Sequence, residues 1–421
     1  RRLRRDRLEA RARCCDRISI LSNVSDTRRE PLPAQIRPVI RLAGLVVLTD
    51  TLFFAVLSPL LNGYAESAHL DRAGVGLLVA AYPLGMVLGA IPAGLLASRW
   101  GSRRLVIAGL AVTAAVSLLF TASSSGSALI IFRFLQGAAG ASSWTGAMSW
   151  ASSVSPPDRR GEIVGRLLGL SVVGSILGPV FGAAASLIGA VWVFGAIALS
   201  LAVLAVIAMR MPNPAQAPSQ GFTGAFQLMT DQRVRIGLWL IALGGCTIGV
   251  INSQAPLELS ALGMTAVGIS IVYLAMSGAA AVVSPLVGRQ SDRNGRGRIT
   301  LVLLVVAALS MVAAGFATPL VLVIPLLIVA GTGLEALYVP GSALLWDGAA
   351  KADTGTGEIL AMANMIWAGA MAIASVFAGV MVTSLGYSSP FIAVAVLACA
   401  TAPAVLPIAR ADRQERTSGV T

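Results

Sequence analysis

Residues 94–103 read Gly94-Leu-Leu-Ala-Ser98-Arg99-Trp-Gly101-Ser-Arg103, and residues 288–296 read Gly288-Arg-Gln-Ser-Asp292-Arg293-Asn-Gly295-Arg296. Each stretch follows a long apolar run, and each sets glycines beside arginines. Gly94 and Gly288 stand 194 residues apart, and the same displacement carries the start of one apolar run near residue 39 onto the start of another near residue 234. The chain reads as a unit repeated twice in parallel.

Working outward from these motifs, apolar runs fall near 39–63, 74–97, 104–124, 128–150, 163–187 and 189–209, then near 234–254, 266–288, 298–318, 321–346, 358–383 and 388–408. Each is close to the ~20 residues a helix needs to cross the hydrocarbon core. The stretches 298–346 and 358–408 each need a turn, which Gly315–Pro319 and Gly386 supply. Composition agrees: 56% of the 421 residues are hydrophobic and 12% charged, with a mean hydropathy of +0.81. A soluble domain carries about 25% charged residues and could not cover this much apolar surface. Hydrocarbon offers no partner to an open backbone. The expected fold is therefore all-α, with 12 transmembrane helices in two six-helix halves, 39–209 and 234–408. Between them, 210–233 carries Pro212, Pro214 and Pro218 and reads as a cytoplasmic linker with a short surface helix at 222–230.

Charge placement tests the count independently. Arg99, Arg103 and Arg104 lie after span 2; Arg159, Arg160 and Arg166 after span 4; Arg210, Arg233 and Arg235 after span 6. Arg289, Arg293, Arg296 and Arg298 follow span 8, Lys351 follows span 10, and Arg410, Arg413 and Arg416 follow span 12. The alternate loops hold one basic residue, Arg72. By the positive-inside rule both termini are cytoplasmic, in a bacterial-type inner membrane, with 1–38 and 409–421 as cytoplasmic tails. The net charge of +12 owes much to the first tail, since twelve of the 31 Lys and Arg precede Leu42, so no nucleic-acid partner is expected. Cys246 and Cys399 read as packing residues, and Cys14–Cys15 as too isolated for a metal site.

The chain resembles the major facilitator superfamily over 39–408. The motifs above resemble that family's loop 2–3 signature and its partial copy in loop 8–9. Arg133-Phe-Leu-Gln136-Gly137-Ala-Ala-Gly140 resembles its arginine-containing span 4 motif. Gly174-Ser-Ile-Leu-Gly178-Pro179-Val-Phe-Gly182 resembles the glycine–proline motif of proton-driven antiporters. Asp50-Thr-Leu-Phe-Phe-Ala-Val-Leu-Ser-Pro59 resembles the first helix of twelve-span drug:proton antiporters. The resemblance implies two pseudo-symmetric halves with a solute path between them. It also implies that Arg133 couples protonation to movement and that the glycine face of span 5 limits proton leak. Ser98 departs from the pattern: the family has an aspartate there, which joins a charge network between the halves, whereas the second copy keeps Asp292.

Charge inside a bilayer costs about 2.5–3.5 kcal/mol per residue on insertion scales, so the few intramembrane ionisable groups are candidates for function. Asp50 lies near the middle of span 1. Either it binds a proton or a cation in the central cavity, or it pairs with a polar neighbour and fixes packing. Glu335 is similarly deep in span 10, with Thr332 and Tyr338 at spacing three on one face. It is a proton or substrate site, or a glutamate hydrogen-bonded to Tyr338. Arg133 either snorkels outward or serves with Gln136 as a polar hub. Gly174, Gly178 and Gly182 make a smooth face for close packing, with Pro179 permitting a kink. Tyr82, Gln136, Trp144, Trp239, Asn252, Gln254, Tyr273, Tyr338, Asn364 and Trp367 are candidate cavity-lining residues, although most aromatics in a bundle simply pack.

No Gly-x-x-x-x-Gly-Lys loop is present, so a proton gradient rather than ATP or a bound cofactor is the expected energy source. The single histidine speaks against a lipid-acting enzyme. The expected partners are a small-molecule substrate, protons and membrane lipid, and the expected assembly is a monomer. The reading that follows is proton-coupled efflux of small amphipathic or cationic compounds. The alternative is proton-coupled or facilitative transport of a metabolite such as a sugar, amino acid or organic anion.

Overall fold

The computed structural model describes residues 33, 36–156, 159–212, 229–350 and 356–417. Nearly all of the expected tail 1–38, residues 213–228 with most of the anticipated surface helix, and Lys351 lie outside the described residues.

Twelve membrane-length helices follow in order among the described residues. They are α1 Arg37–Ser67, α2 Arg72–Trp100, α3 Ser102–Thr121, α4 Gly126–Val154, α5 Arg160–Ile188 and α6 Ala190–Met209. The second half has α7 Gln232–Ala261, α8 Ala266–Asn294, α9 Arg296–Phe316, α10 Leu320–Gly348, α11 Thr356–Leu385 and α12 Ser388–Thr417. Eleven are apolar enough by composition to span a membrane; α4 is more polar because it carries Arg133, Gln136 and a run of serines. Several helices outlast their apolar runs, α8 reaching Asn294, because a helix can continue into water once its apolar middle is anchored. The outer surface is apolar, with Leu187, Trp192 and Val321 each more than 70% exposed.

Two helices break one turn before a proline, although other prolines, such as Pro83 and Pro256, sit inside continuous helices. A proline ring clashes with the carbonyl four residues earlier. Pro59 accordingly ends the first part of α1 at Ala55, and a 3-10 turn at Ser58–Leu60 follows. Pro340 does the same to α10, which breaks at Ala336–Leu337 between Glu335 and Tyr338. Thr332, Glu335 and Tyr338 therefore do not form the one continuous stripe that their spacing predicts.

The two halves are pseudo-symmetric in detail. Gly101 (φ 83°, ψ 154°) and Gly295 (φ 85°, ψ 144°) each close one helix and open the next. That backbone region is open to glycine and strained for other residues. Just beyond, Ser102 bonds Ser149 at 3.0 Å, and Arg296 bonds the Ala343 carbonyl at 3.1 Å; Ser149 and Ala343 are again 194 residues apart.

Each half has its own apolar core, around Val46, Phe53, Trp150 and Phe194 in the first and Leu243, Ile251, Met311 and Phe391 in the second. A third cluster joins them: Leu57, Leu61, Val75 and Leu78 meet Ile248, Leu257 and Met371. It lies toward the end of the bundle away from the termini, called here the far end. There α2 and α11 cross almost backbone to backbone. A Cβ added at Gly76 would fall 2.4 Å from the Ser375 carbonyl oxygen, and one at Gly379 2.4 Å from that of Arg72. Arg72 also pairs with Glu258 of α7 at 3.4 Å. The halves are thus closed on one another at the far end.

Candidate functional site

Packing by small residues creates the first part of the site. A Cβ at Gly137 of α4 would lie 2.0 Å from the Tyr82 carbonyl oxygen of α2, and one at Gly140 would lie 2.7 Å from Asp50 Oδ1 and 2.9 Å from Tyr82 Oη. With no side chain in the way, α1, α2 and α4 bring Asp50, Tyr82, Arg133 and Gln136 together, all buried. The Tyr82 hydroxyl donates to Asp50 Oδ1 at 3.5 Å, a long bond. Arg133 does not snorkel. It is 3% exposed, and it donates to Gln136 Oε1 at 3.1 Å and to the Phe54 carbonyl at 3.0 Å. Its guanidinium lies 4.5 Å from the centroid of the Tyr82 ring and 5.6 Å from that of Phe53, within cation–π range. No ion pair to Arg133 or Asp50 is found among the described residues. Arg133 Nε and Gln136 Nε2 are buried without hydrogen-bond partners.

The second half contributes Glu335 at the last residue before the break in α10, half-buried. The Tyr338 hydroxyl donates to Asn364 Oδ1 at 3.2 Å rather than to Glu335, because the break turns it toward α11. Half-buried Trp367 of α11 approaches Phe54 of α1, ring centroids 6.2 Å apart, and Phe54 in turn touches Tyr82 at 5.4 Å. Aromatic rings thus connect the Asp50 cluster to the opposite half.

Between the halves lies a small cavity of ≈ 10 Å³, lined by Phe54, Leu57, Ser58, Leu61, Val79, Arg133, Asn252 and Met371. It brings together Arg133 and Asn252 from opposite halves. Tyr82, Gln136 and Gln254 are wholly buried in helix seams instead, Gln254 with neither amide atom partnered. Trp144 packs against the first half's core. Two further candidates face elsewhere: Trp239 is 44% exposed and donates to Thr401 of α12, and Tyr273 donates to the Ile251 carbonyl. Phe54 and Met371 went unnoticed in the sequence, since an apolar residue in an apolar run carries no mark of facing a cavity. A shallow pocket of ≈ 830 Å³ opens at the far end, where Asn62, Glu66, His69, Asp71 and Arg72 face Ser260, Ala261 and Thr383.

The glycine face of α5 packs on α1. Cβ atoms at Gly174, Gly178 and Gly182 would fall 2.4 Å from the Leu48 carbonyl oxygen, 2.4 Å from Ala55 Cβ and 2.9 Å from Pro59 Cγ. Pro179 is buried within this helix. In the loop motifs, Gly94 faces open space, and Gly288 has only Val339 nearby. Arg99 is exposed; the side chain of Ser98 lies outside the described residues. Arg103 donates to the Met211 carbonyl at 2.7 Å, and Arg296 pairs with Asp347, both within one half. Asp292 and Arg293 are exposed, and no ion pair to Asp292 is found among the described residues. No group of three His, Cys, Asp or Glu able to hold a metal is found among them either.

A family model described as "Major Facilitator Superfamily" matches residues 43–357 and 237–420. Among curated relatives, the MFS-type transporter ppzB of Metarhizium rileyi is 29% identical over 178 residues, 40% of this chain and 35% of that protein. The tetracenomycin C resistance and export protein of Streptomyces glaucescens is 27% identical over 158 residues, 38% of this chain and 28% of that one. The 4-hydroxybenzoate transporter PcaK of Pseudomonas aeruginosa is 28% identical over 195 residues, 44% of this chain and 42% of that one. The chain spans about a third of the length of the first of these relatives. Among solved structures, a bacterial homolog of the human lysosomal transporter Spinster in an inward-facing and occupied conformation superposes with a TM-score of 0.73 at 16% identity, covering 90% of this chain and 98% of that one. The nucleoside transporter NupG superposes with a TM-score of 0.69 at 15% identity, covering 88% and 99%. These two likenesses concern the fold.

Proposed function

Because the chain belongs to the Major Facilitator Superfamily, a family of multi-pass transporters of small molecules, we propose that it couples proton movement to the transport of a small organic metabolite by alternating access. The observation that carries the reading is Asp50. It is a buried carboxyl group on α1 that accepts from a tyrosine, with no ion pair among the described residues. Its neighbour is the helix whose arginine reaches the cavity between the halves. Hydrocarbon disfavours a charged carboxylate, so solute and proton binding here bias the balance between the far-end-closed state and its opposite. Glu335 is a second proton site in the other half, and the glycine face of α5 lets α1 move without admitting water. By the positive-inside rule the termini and the linker 210–233 are cytoplasmic, the far end is external, and the membrane is a bacterial inner membrane. The protein acts as a monomer and binds no cofactor.

A second reading, export of amphipathic cations, draws on the presence of two intramembrane carboxyl groups and on the likeness to an antibiotic export protein. The likeness to a 4-hydroxybenzoate transporter supports the metabolite reading. Purified protein in vesicles with an imposed pH gradient and an internal pH dye separates them, using 4-hydroxybenzoate, amino acids, sugars and the cation ethidium as solutes. Proton flux with a metabolite is expected; flux with ethidium alone would replace the first reading with the second. Asp50→Asn and Glu335→Gln are each expected to abolish gradient-driven transport while solute exchange continues. Full coupling in both variants would remove these residues from the proton path.

A further inference from the structure

Among the described residues, the cavity between the halves has buried Arg133 in its wall and no carboxylate. Arg133 uses one N–H on Gln136 and another on the Phe54 carbonyl, both neutral acceptors. Its Nε is left unpartnered, as is the donor end of Gln136 beside it. Asn252 reaches the same cavity from α7. A guanidinium buried away from water persists only where neighbouring groups offset its desolvation, and the Tyr82 and Phe53 rings do so only in part. Asp50 acts on Arg133 only from a distance: it accepts from the Tyr82 hydroxyl, and no ion pair between the two is found among the described residues. The unsatisfied group of the cavity wall, Arg133 Nε, is a donor, and the natural complement of a guanidinium is an anionic acceptor with two oxygens in a plane.

Resting on the transport reading above, we infer that Arg133 and Asn252 hold the carboxylate of the transported solute between the halves, so that the substrate class is a small organic acid. Phe54 lines the same cavity and stands ring to ring with Trp367, which places aromatic surface beside the carboxylate and suits a planar acid. At ≈ 10 Å³ the cavity has room for about one water. It must widen to admit a carboxylate, and widening parts Leu57, Leu61 and Met371, members of the apolar cluster that joins the halves. Binding of the acid and opening of the far-end seam are therefore one event, and the solute shifts the population of states by its preference for the widened one.

Equilibrium binding with no gradient tests the site separately from transport. The full chain in lipid nanodiscs is titrated with benzoate, benzamide and benzylamine at fixed pH, read by tryptophan fluorescence and calorimetry. Benzoate is expected to bind at least roughly tenfold tighter than benzamide, as charge-assisted bonds require, with benzylamine weakest. Arg133→Gln is expected to erase the preference for benzoate. Should that variant not fold, Asn252→Asp sets a negative charge against the carboxylate while keeping Arg133, and is expected to weaken benzoate selectively. Benzylamine binding as well as benzoate, or a preference for benzoate that survives in folded Arg133→Gln or is unchanged in Asn252→Asp, overturns the inference. If benzoate binds as expected but no gradient drives it, the transport reading fails and the site stands; gradient-driven flux of benzylamine alone fails the site and leaves transport intact.

Discussion

In the first half Asp50, Tyr82, Arg133 and Gln136 converge between α1, α2 and α4; 194 residues further on, the second half has Gly244, Met276, Leu327 and Ala330. The scaffold around them is the same. Gly137 approaches Tyr82, and its counterpart Gly331 approaches Met276, the counterpart of Tyr82. The carboxyl group has changed helices. In the first half it sits on α1 against a glycine of α4. In the second it sits on α10, where Gly244 of α7 faces Leu334 and Glu335. The duplicated backbone keeps its close approaches while side-chain chemistry diverges. Leu327 and Ala330 are buried in the second core and stabilise it, whereas Arg133 at the matching position is a costly group that packing alone does not explain. At these matched positions the first half buries polar and charged groups where the second buries apolar ones.

Paired substitutions put that asymmetry to the test. The largest effect is expected from Gly137→Ala, whose Cβ would meet the Tyr82 carbonyl oxygen at 2.0 Å, a backbone atom held by its own helix. A loss of about 1–3 kcal/mol or more follows from such overpacking. Gly331→Ala meets the end of the flexible Met276 side chain at 2.5 Å and Ile251 Cδ1 at 3.3 Å, both side-chain tips that can shift, and should cost under ~1 kcal/mol by the same reasoning. Thermal unfolding of both variants in one detergent measures the difference, and equal losses would break the comparison.

The next pair acts on transport. A Cβ at Gly140 would press on both Asp50 Oδ1 and Tyr82 Oη. Gly140→Ala is therefore expected to slow gradient-driven flux roughly tenfold, equivalent to ~1.4 kcal/mol on the rate-limiting barrier. At Gly244 the nearest atoms are the Leu334 carbonyl oxygen at 3.1 Å and Glu335 Cα at 3.8 Å, so Gly244→Ala should change flux by less than ~twofold on that same scale. Flux in vesicles, normalised to folded protein, decides it; a greater loss at Gly244 would make Glu335 the dominant carboxyl group.

The smallest effect is expected where the halves touch in water. The Arg72–Glu258 pair is partly exposed, 29% and 27%, and such pairs contribute about 0–1 kcal/mol. Arg72→Gln should shift the closed-to-open balance at the far end by no more than ~5-fold, and high salt should mimic it. Spin-label distances between Ser67 and Ala261 read the shift. A larger change would make this pair, rather than the apolar cluster, the main closure.

The apolar runs and the alternation of arginines were enough to read twelve helices and two halves, and the turns at Gly315–Pro319 and Gly386 fall where α9 and α11 end. Pro59 and Pro340 were legible as residues, but the breaks they impose were not drawn from them, and the expected stripe over Thr332, Glu335 and Tyr338 failed for that reason. Asp50, Arg133 and Glu335 stood out as rare charges in hydrocarbon. Trp239 and Tyr273 stood out equally as aromatics and proved to pack elsewhere. Phe54 and Met371 had no distinguishing signal at all.

The amino-acid sequence by itself determined the duplication, the number of crossings and the inventory of intramembrane charges, because partition between water and hydrocarbon is summed residue by residue along a segment. Which of those groups meet was decided only by tertiary structure: Arg133 with the Phe54 carbonyl, Asp50 with Tyr82, Tyr338 with Asn364. Those meetings depend on how each helix is rotated and how near its neighbour lies, and glycine contacts between helices distant in the chain set both.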